Sequence, residues 1–336
     1  MSNKNKLYIV LALLIILFVV SILSTCFGQL NYSFYKCLQL MVGYGRNREL
    51  NFYRNYRLNK MFLSIIVGSG MGVSGLVFQS ILKNDMSSPG TLGISSGTGF
   101  FVLLFLLLFP LNNVNSFLFP VFAFIGGLIS ALVIFIANYR KNNILNGTKL
   151  ILTGIALSSF FSALQIALVL SLDKYKLEFM AKWSAGQLWA SDWMYIMIIA
   201  IWNLFFILIV YYKSRFLNAM NLGSVVSTGI GVNFNKEFIF FSFSAVALSS
   251  ASVAFGGQFF FIGLIAPHIA KKIVGYNHYF SILVSAFIGA LLIVSANFLI
   301  AIIPFLFGIP TGIIITIISI PYFIYLLIKG GKVCPA

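Results

Sequence analysis

The stretch MFLSIIVGSGMGVSGLVFQSIL, residues 61–82, decides how this chain is read. Within it Gly70, Gly72 and Gly75 spell G-x-G-x-x-G, the turn that cradles a dinucleotide when a strand precedes it and a helix opens on it. Here the glycines lie inside one uncharged apolar block, and about 20 such residues cross a bilayer. Gly68 and Gly72, like Gly70 and Ser74, have the small-xxx-small spacing that lets helices approach closely. The expectation is a membrane helix in which Gly68, Gly72 and Gly75 are packing positions.

Outward from that block, the rest of the chain agrees. Of 336 residues, 60% are hydrophobic and 8% charged, with a mean hydropathy of +1.01. A water-facing surface needs far more charge. Ten apolar blocks read as spans, roughly 7–28, 58–82, 91–111, 116–138, 149–172, 192–213, 236–256, 257–274, 278–304 and 309–329. Gly256, Gly257 and Pro267 interrupt the pattern around the eighth. The class is an all-α polytopic membrane protein, a single transmembrane domain over 1–336.

The formal charge of +16, from 22 Lys+Arg against 6 Asp+Glu, reports topology. Basic residues are scattered over loops without stacking aromatics, which argues against nucleic acid. With the N-terminus inside, 13 of the 22 fall on the cytoplasmic side and the remaining 9 in the outer loops 29–60 and 173–191. That excess fits an even number of spans and two cytoplasmic termini. Plentiful Asn, Lys, Ile and Phe suggest an AT-rich bacterial genome, hence a bacterial cell membrane. Leu7–Cys26 ends in LSTC, similar to a lipoprotein cleavage box, but the apolar run is long for a signal peptide and reads as a retained first helix. Cys26, Cys37 and Cys334 have no metal-ligand spacing and read as unpaired thiols.

Glu49, Asp85, Asp173, Glu178, Asp192 and Glu237 all fall in loops or at span ends. An ion-coupled carrier keeps ionisable groups at membrane depth, so an ATP-independent secondary transporter is disfavoured. An enzyme needs a convergent catalytic set. The most this chain offers is His268 with Ser244 or Ser250, and His268 reads as a structural residue at a helix end. His278 reads as a loop residue with nothing attached. No G-x-x-x-x-G-K-[ST] occurs, so no phosphate loop is present.

Three stretches are too polar or glycine-rich for plain connectors: LKNDMSSPGTLGISSG (82–97), LNAMNLGSVVSTGIGV (217–232) and GGQFFFIGLIAPHIAKKIVG (256–275). The first suits the mouth of a pathway, the second a docking segment or an interfacial helix. The third suits a broken helix of the kind tolerated only inside protein or along a cavity. Together with RLNKMFLSIIVGSGMGVSGLVFQS (57–80), LTGIALSSFFSAL (152–164), WSAGQLWASDW (183–193) and IPTGIIITIISIPYFIYLLIK (309–329), in this order, they resemble the FecCD-type permeases of type II ABC importers for ferric siderophores, haem and vitamin B12.

The resemblance implies ten spans and a permease that is not an enzyme. Two such halves enclose a pathway, and two cytoplasmic ATPase subunits bind the ATP and magnesium. The chain itself then needs no cofactor and no metal. An extracytoplasmic binding protein, of the lipoprotein kind, delivers the substrate. A ferric siderophore is the expected substrate, with haem or vitamin B12 as alternatives. By the same likeness Arg57 and Lys60 would dock the binding protein, and Asn84, Met86 and Thr148 would form the cytoplasmic gate. Asn218, Leu222, Gly223 and Gly231 would lie in the coupling segment 217–232. The sequence also departs from the family pattern. Asn84-Asp85-Met86 stands where Asn-Pro-Leu is usual, and Ser224 and Val225 stand where an acid is usual. Asn297, Ala301 and Gly308 replace charged positions. The second docking patch is depleted: Arg46, Arg48 and Arg54 in the outer loop would compensate, or a paralogous second permease would carry the missing charges, which favours such a partner over an identical copy.

Overall fold

A computed structural model describes residues 3–28, 32–109, 118–138, 147–190 and 192–330, with the side chains of 326, 327, 329 and 330 outside the description. The described residues fold into helices and connecting turns. Helix α1 (Asn3–Cys26) is followed by the short α2 (Phe34–Val42) and α3 (Asn47–Phe52), a π-helical turn at Tyr53–Leu58, and α4 (Asn59–Ile81). Then come α5 (Ile94–Leu108), α6 (Leu118–Asn138), α7 (Gly147–Val169), the amphipathic α8 (Lys174–Ser184) and α9 (Trp193–Tyr212). The chain continues through the short α10 (Ser214–Asn221) and α11 (Ser224–Gly229) to α12 (Phe234–Gly256), α13 (Ile262–Val274), α14 (His278–Ile302) and α15 (Thr311–Gly330).

Each of the ten apolar blocks contains one helix. Among the described residues seven of these helices, α1, α4, α6, α7, α9, α12 and α14, are long and apolar enough to cross a membrane. The eighth block is the exception in form. Residues 257–261 are irregular and α13 has 13 residues, about 20 Å at 1.5 Å per residue and so short of a bilayer. Gly257 takes φ 82°, which a side chain resists. That bend turns the chain so that Gln258 N–H donates to Trp183 O at 3.3 Å. Gly312 N–H donates to Gly186 O at 2.9 Å, so the first turn of α15 is tied to the same place.

Helix α4 is the axis of the bundle, packed against α14, α12, α13 and α9. The glycines that open the sequence reading sit at its contacts. A Cβ on Gly68 would meet the backbone of Gly289, one on Gly72 the carbonyl of Ser285, and one on Gly75 the carbonyl of Gly263. Close approach lets short polar side chains reach neighbouring backbones. Ser74 Oγ donates to Ala245 O (2.6 Å), Ser285 Oγ to Gly72 O (2.7 Å) and Asn203 Nδ2 to Ile66 O (3.0 Å). Such bonds hold helices together where lipid offers no hydrophobic driving force. The outward faces of α1, α6 and α9 expose Ile15, Phe18, Leu132, Ile136, Ile201 and Leu204, as lipid contact requires.

A candidate coupling and gating site

Helices α10 and α11 are two short segments joined at Leu222-Gly223. Gly223 (φ 104°) and Gly231 (φ 87°) occupy backbone conformations that favour glycine, and they set the corners of the segment. Its root is held by Lys213, whose Nζ lies 2.8 Å from Glu237 Oε2 at the start of α12. Apolar side chains nevertheless point outward: Leu222 is 61% exposed and Val225 81%, with Val226 and Ile230 beside them. Arg215 and Lys236 flank them in sequence. Exposed apolar side chains grouped in this way are the kind of patch that marks a contact surface.

The loop after α4 lies next to this segment. Lys83 takes φ 50°, an αL conformation uncommon for a residue with a side chain. It ends α4 and turns the chain back. A Cβ on Gly223 would sit 3.5 Å from Lys83 Nζ, so loop and coupling corner meet there. Asn84 organises the turn that follows. Its N–H donates to Gln79 O (3.2 Å), its carbonyl accepts from Ser87 N–H (3.0 Å) and its Oδ1 accepts from Met86 N–H (2.8 Å). Met86 is exposed. Thr148 is exposed at the first turn of α7, next to Gly147, where a Cβ would contact Leu82 O at 2.9 Å. The loop that carries Asn84 and Met86 therefore meets the start of α7, next to Thr148, on one side and the Gly223 corner on the other.

Asn218 points inward, and what it touches corrects one expectation. His278, read as a loop residue with nothing attached, is the buried first residue of α14. Its ring nitrogens lie 2.8 Å from Asn218 Oδ1 and 2.7 Å from Ser80 Oγ. The missed signal was local: Asn277 stands before an apolar run as an N-cap, its Oδ1 accepting from Tyr279 N–H at 3.1 Å. A second feature absent from the sequence reading is Lys271, 8% exposed. Its ammonium donates to Asp85 Oδ1 (2.7 Å) and Gln79 Oε1 (3.0 Å). His268 lies within α13, edge-on to Tyr322 at 6.0 Å.

At the opposite end, Arg57 and Lys60 line a cleft of about 240 Å³ with Phe52, Tyr56, Asn297 and Phe307. Arg57 is half-buried. Its Nη1 donates to Thr25 O (2.7 Å) and Cys26 O (3.2 Å), and its guanidinium lies 4.7 Å from the centre of the Tyr32 ring. Lys60 is exposed. Asn297 joins α4, α14 and the start of α15 with neutral bonds, donating to Ser64 Oγ and accepting from Thr311 Oγ1, each at 2.8 Å. Cys26 and Cys37 are free thiols buried nearby.

Helix α7 is the odd member of the bundle. It leans on α5 and α6 and buries only Leu150, Gly154 and Phe161. Ser159 and Ser162 are exposed on its open side, with Ser158 and Gln165 half-exposed at the edge. Gln165 Nε2 donates to Ser96 O at 2.9 Å, and Gln258 Nε2 donates to Ser95 O at 3.1 Å. Ser159 Oγ donates to Ile155 O at 3.1 Å, within its own helix, and the open side also carries the exposed Leu152, Ile155, Phe160 and Ile166. Phe259 is buried, whereas Phe260 is exposed and covers Gly90.

A bundle of membrane-length helices with a broken helix, a glycine-cornered cytoplasmic segment and one helix covered on a single side fits a transporter permease. Residues 13–329 match the model of the FecCD transport family, and the chain belongs to that family. It is 35% identical to the iron(3+)-hydroxamate import system permease protein FhuG of Bacillus subtilis (strain 168), over 98% of this chain and 99% of that one. It is also 35% identical to the iron-uptake system permease protein FeuC of the same organism, over 99% of each. Among solved structures, a metal-chelate type ABC transporter in an inward-facing conformation matches with a TM-score of 0.82 at 24% identity. That match covers 96% of this chain and 99% of the other, and it supports the type II permease fold. The two glycine readings are thereby separated: the chain is a multi-pass permease, and G-x-G-x-x-G is a helix seam.

Proposed function

We propose that this chain is one transmembrane half of an ATP-driven importer in the bacterial cell membrane. It carries a ferric siderophore, or a related iron chelate, from an extracytoplasmic binding protein to the cytoplasm. The observation that carries the reading is α7, a spanning helix covered on one side only, with Ser159 and Ser162 open on the other. An open helix face of this kind suits a pathway wall, and a second permease opposite would close it. The neutral Asn297 network in the outer cleft supports a paralogous partner that brings its own charges. The exposed Leu222, Val225 and Ile230 suit a pocket on each cytoplasmic ATPase, which binds ATP and magnesium. In the outer cleft, Lys60, with Arg57 and the basic residues of the α3 region (Arg46, Arg48 and Arg54), suits carboxylates of a lipoprotein binding protein. Charges on such a rim set orientation and on-rate more than affinity.

The test is purification of the tagged chain from native membranes in mild detergent, with its partners identified by mass spectrometry and uptake of a radioiron-labelled ferric trihydroxamate measured in parallel. An ABC ATPase in stoichiometric amount, a second permease and ATP-dependent uptake are expected. A chain that comes out alone and still transports refutes the reading in favour of a secondary transporter.

A further inference from the structure

His278 is 2% exposed and stands between coupling helix α10 and the last turn of α4. Its backbone N–H donates to Asn218 Oδ1 at 2.9 Å, which fixes the orientation of that amide. The same oxygen lies 2.8 Å from His278 Nδ1. An amide oxygen only accepts, so Nδ1 carries the ring proton. In that tautomer Nε2 is an acceptor, 2.7 Å from Ser80 Oγ. The Ser80 hydroxyl has an alternative acceptor in Leu76 O, also at 2.7 Å. Its proton therefore has two resting places, one of which depends on where the imidazole sits.

One residue back along α4, Gln79 Oε1 accepts from Lys271 Nζ, and the same ammonium holds Asp85 in the gate loop. A continuous polar path thus runs from Asn218 through His278 to Ser80, along α4 to Gln79, and through Lys271 to Asp85. Buried Leu76, Val77, Leu217 and Ile282 belong to the apolar cluster of the same region. In such surroundings an unmade hydrogen bond is expensive, so a displaced partner is followed and not released. The imidazole is rigid and bonded at both ends, and it transmits displacement better than a flexible side chain would. At the far end, a buried ammonium keeps its carboxylate for the same reason.

We propose that His278 is the positioning residue that couples movement of α10 to the gate loop: it ties Asn218 to Ser80, and α4 carries the displacement through Gln79 and Lys271 to Asp85. This rests on the importer reading above. The test uses the complex with its co-purified ATPase in phosphatidylethanolamine–phosphatidylglycerol liposomes. Exposed Met86 is replaced by Cys as reporter in a Cys334→Ser background. Labelling by a membrane-impermeant maleimide is followed with and without ATP, and hydrolysis is measured on the same sample.

In the otherwise native complex, ATP changes the labelling rate. His278→Gln and Asn218→Ala are expected to reduce that ATP-dependent change about tenfold, the scale of one lost buried bond. Ser80→Ala, which removes a single oxygen and spares the fold, gives the same direction. Asn218→Asp keeps the accepting oxygen and restores the response. A purely structural role lowers yield and melting temperature but leaves the response per folded complex intact. A full ATP-dependent change in both His278→Gln and Ser80→Ala, with hydrolysis persisting, overturns the role of His278. Absence of hydrolysis or of any ATP response in the native complex overturns the importer reading itself, and this role with it.

Discussion

Replacing Arg57 separates two roles that converge on one residue. The family likeness assigns it to binding-protein docking, whereas its guanidinium is engaged by the end of α1. The last carbonyls of a helix have no partner within it, and the negative end of the helix dipole attracts a cation. Arg57 answers both needs, with bonds of 2.7 and 3.2 Å to Thr25 O and Cys26 O. Tyr32 lies under the guanidinium at 4.7 Å and Phe52 at 5.7 Å. Two hydrogen bonds from a charged donor contribute about 1.5 kcal/mol each, and a half-buried cation–π contact about 0.5 kcal/mol or more. Arg57→Ala should therefore lose about 3.5 kcal/mol, read as a drop of about 5 °C in the midpoint of heat-induced aggregation in detergent. Arg57→Glu should lose more, because a carboxylate would face two carbonyl oxygens. Lys60→Glu, at an exposed position, should melt like the parent yet bind the binding protein less tightly and with weaker salt dependence. An Arg57→Ala protein that melts with the parent while its binding-protein affinity falls refutes the structural role and returns Arg57 to the docking surface.

Three further outcomes follow from the same contacts. Gly75→Leu drives a side chain into the backbone of Gly263, which cannot give way as a flexible chain end would. A loss of more than about 3 kcal/mol is expected, seen as absence of a monodisperse peak by size-exclusion chromatography. Leu222→Asp places a charge in the exposed apolar row and should reduce co-purified ATPase at least tenfold while the permease still folds; undiminished ATPase would remove 217–232 from that interface. Burial beside Cys26 pushes the Cys37 thiol up to about 12. Since only the thiolate is nucleophilic, iodoacetamide labelling of Cys37 in the folded protein should be about a thousandfold slower at pH 8 than that of a free thiol and should still climb about tenfold per pH unit from pH 7 to 9, and a rate that levels off within that window would contradict the buried placement.

Much of this architecture is written in single-residue chemistry. The blocks around α4, α12 and α14 are legible because apolar length alone distinguishes a span, and the glycine spacing of 68–75 reads as a seam because backbone contact excludes a Cβ. Bonds made between distant blocks are not legible. Lys271 meets Asp85 across 186 positions of chain, and His278 meets Ser80 across 198. A one-dimensional reading has no measure of such pairs. Arg57 and Lys60 are hard to tell apart for a related reason. Basic residues at a span end look alike in sequence, and only the position of the α1 terminus shows which cation is spent on a helix end and which faces water.

The Asp85 substitution gains meaning from this geometry. Where the family has proline, backbone stiffness comes from a ring that fixes φ. Here the loop is held from outside, by a carboxylate anchored to Lys271 and by the Asn84 side chain closing the turn on Met86 N–H. A ring constraint is permanent, whereas an ion pair with one half-exposed partner can open. Asp85→Pro is therefore expected to stiffen the loop and, by the same change, strip Lys271 of its carboxylate beneath α4. The two effects oppose each other, so Asp85→Pro alone should lower thermal stability. Asp85→Pro combined with Lys271→Met, which removes the stranded charge, should recover it, because breaking a buried pair costs far more than replacing both members. Equal melting temperatures for the single and double variants would show that Lys271 keeps water at that position, and that Asp85 does not hold the loop.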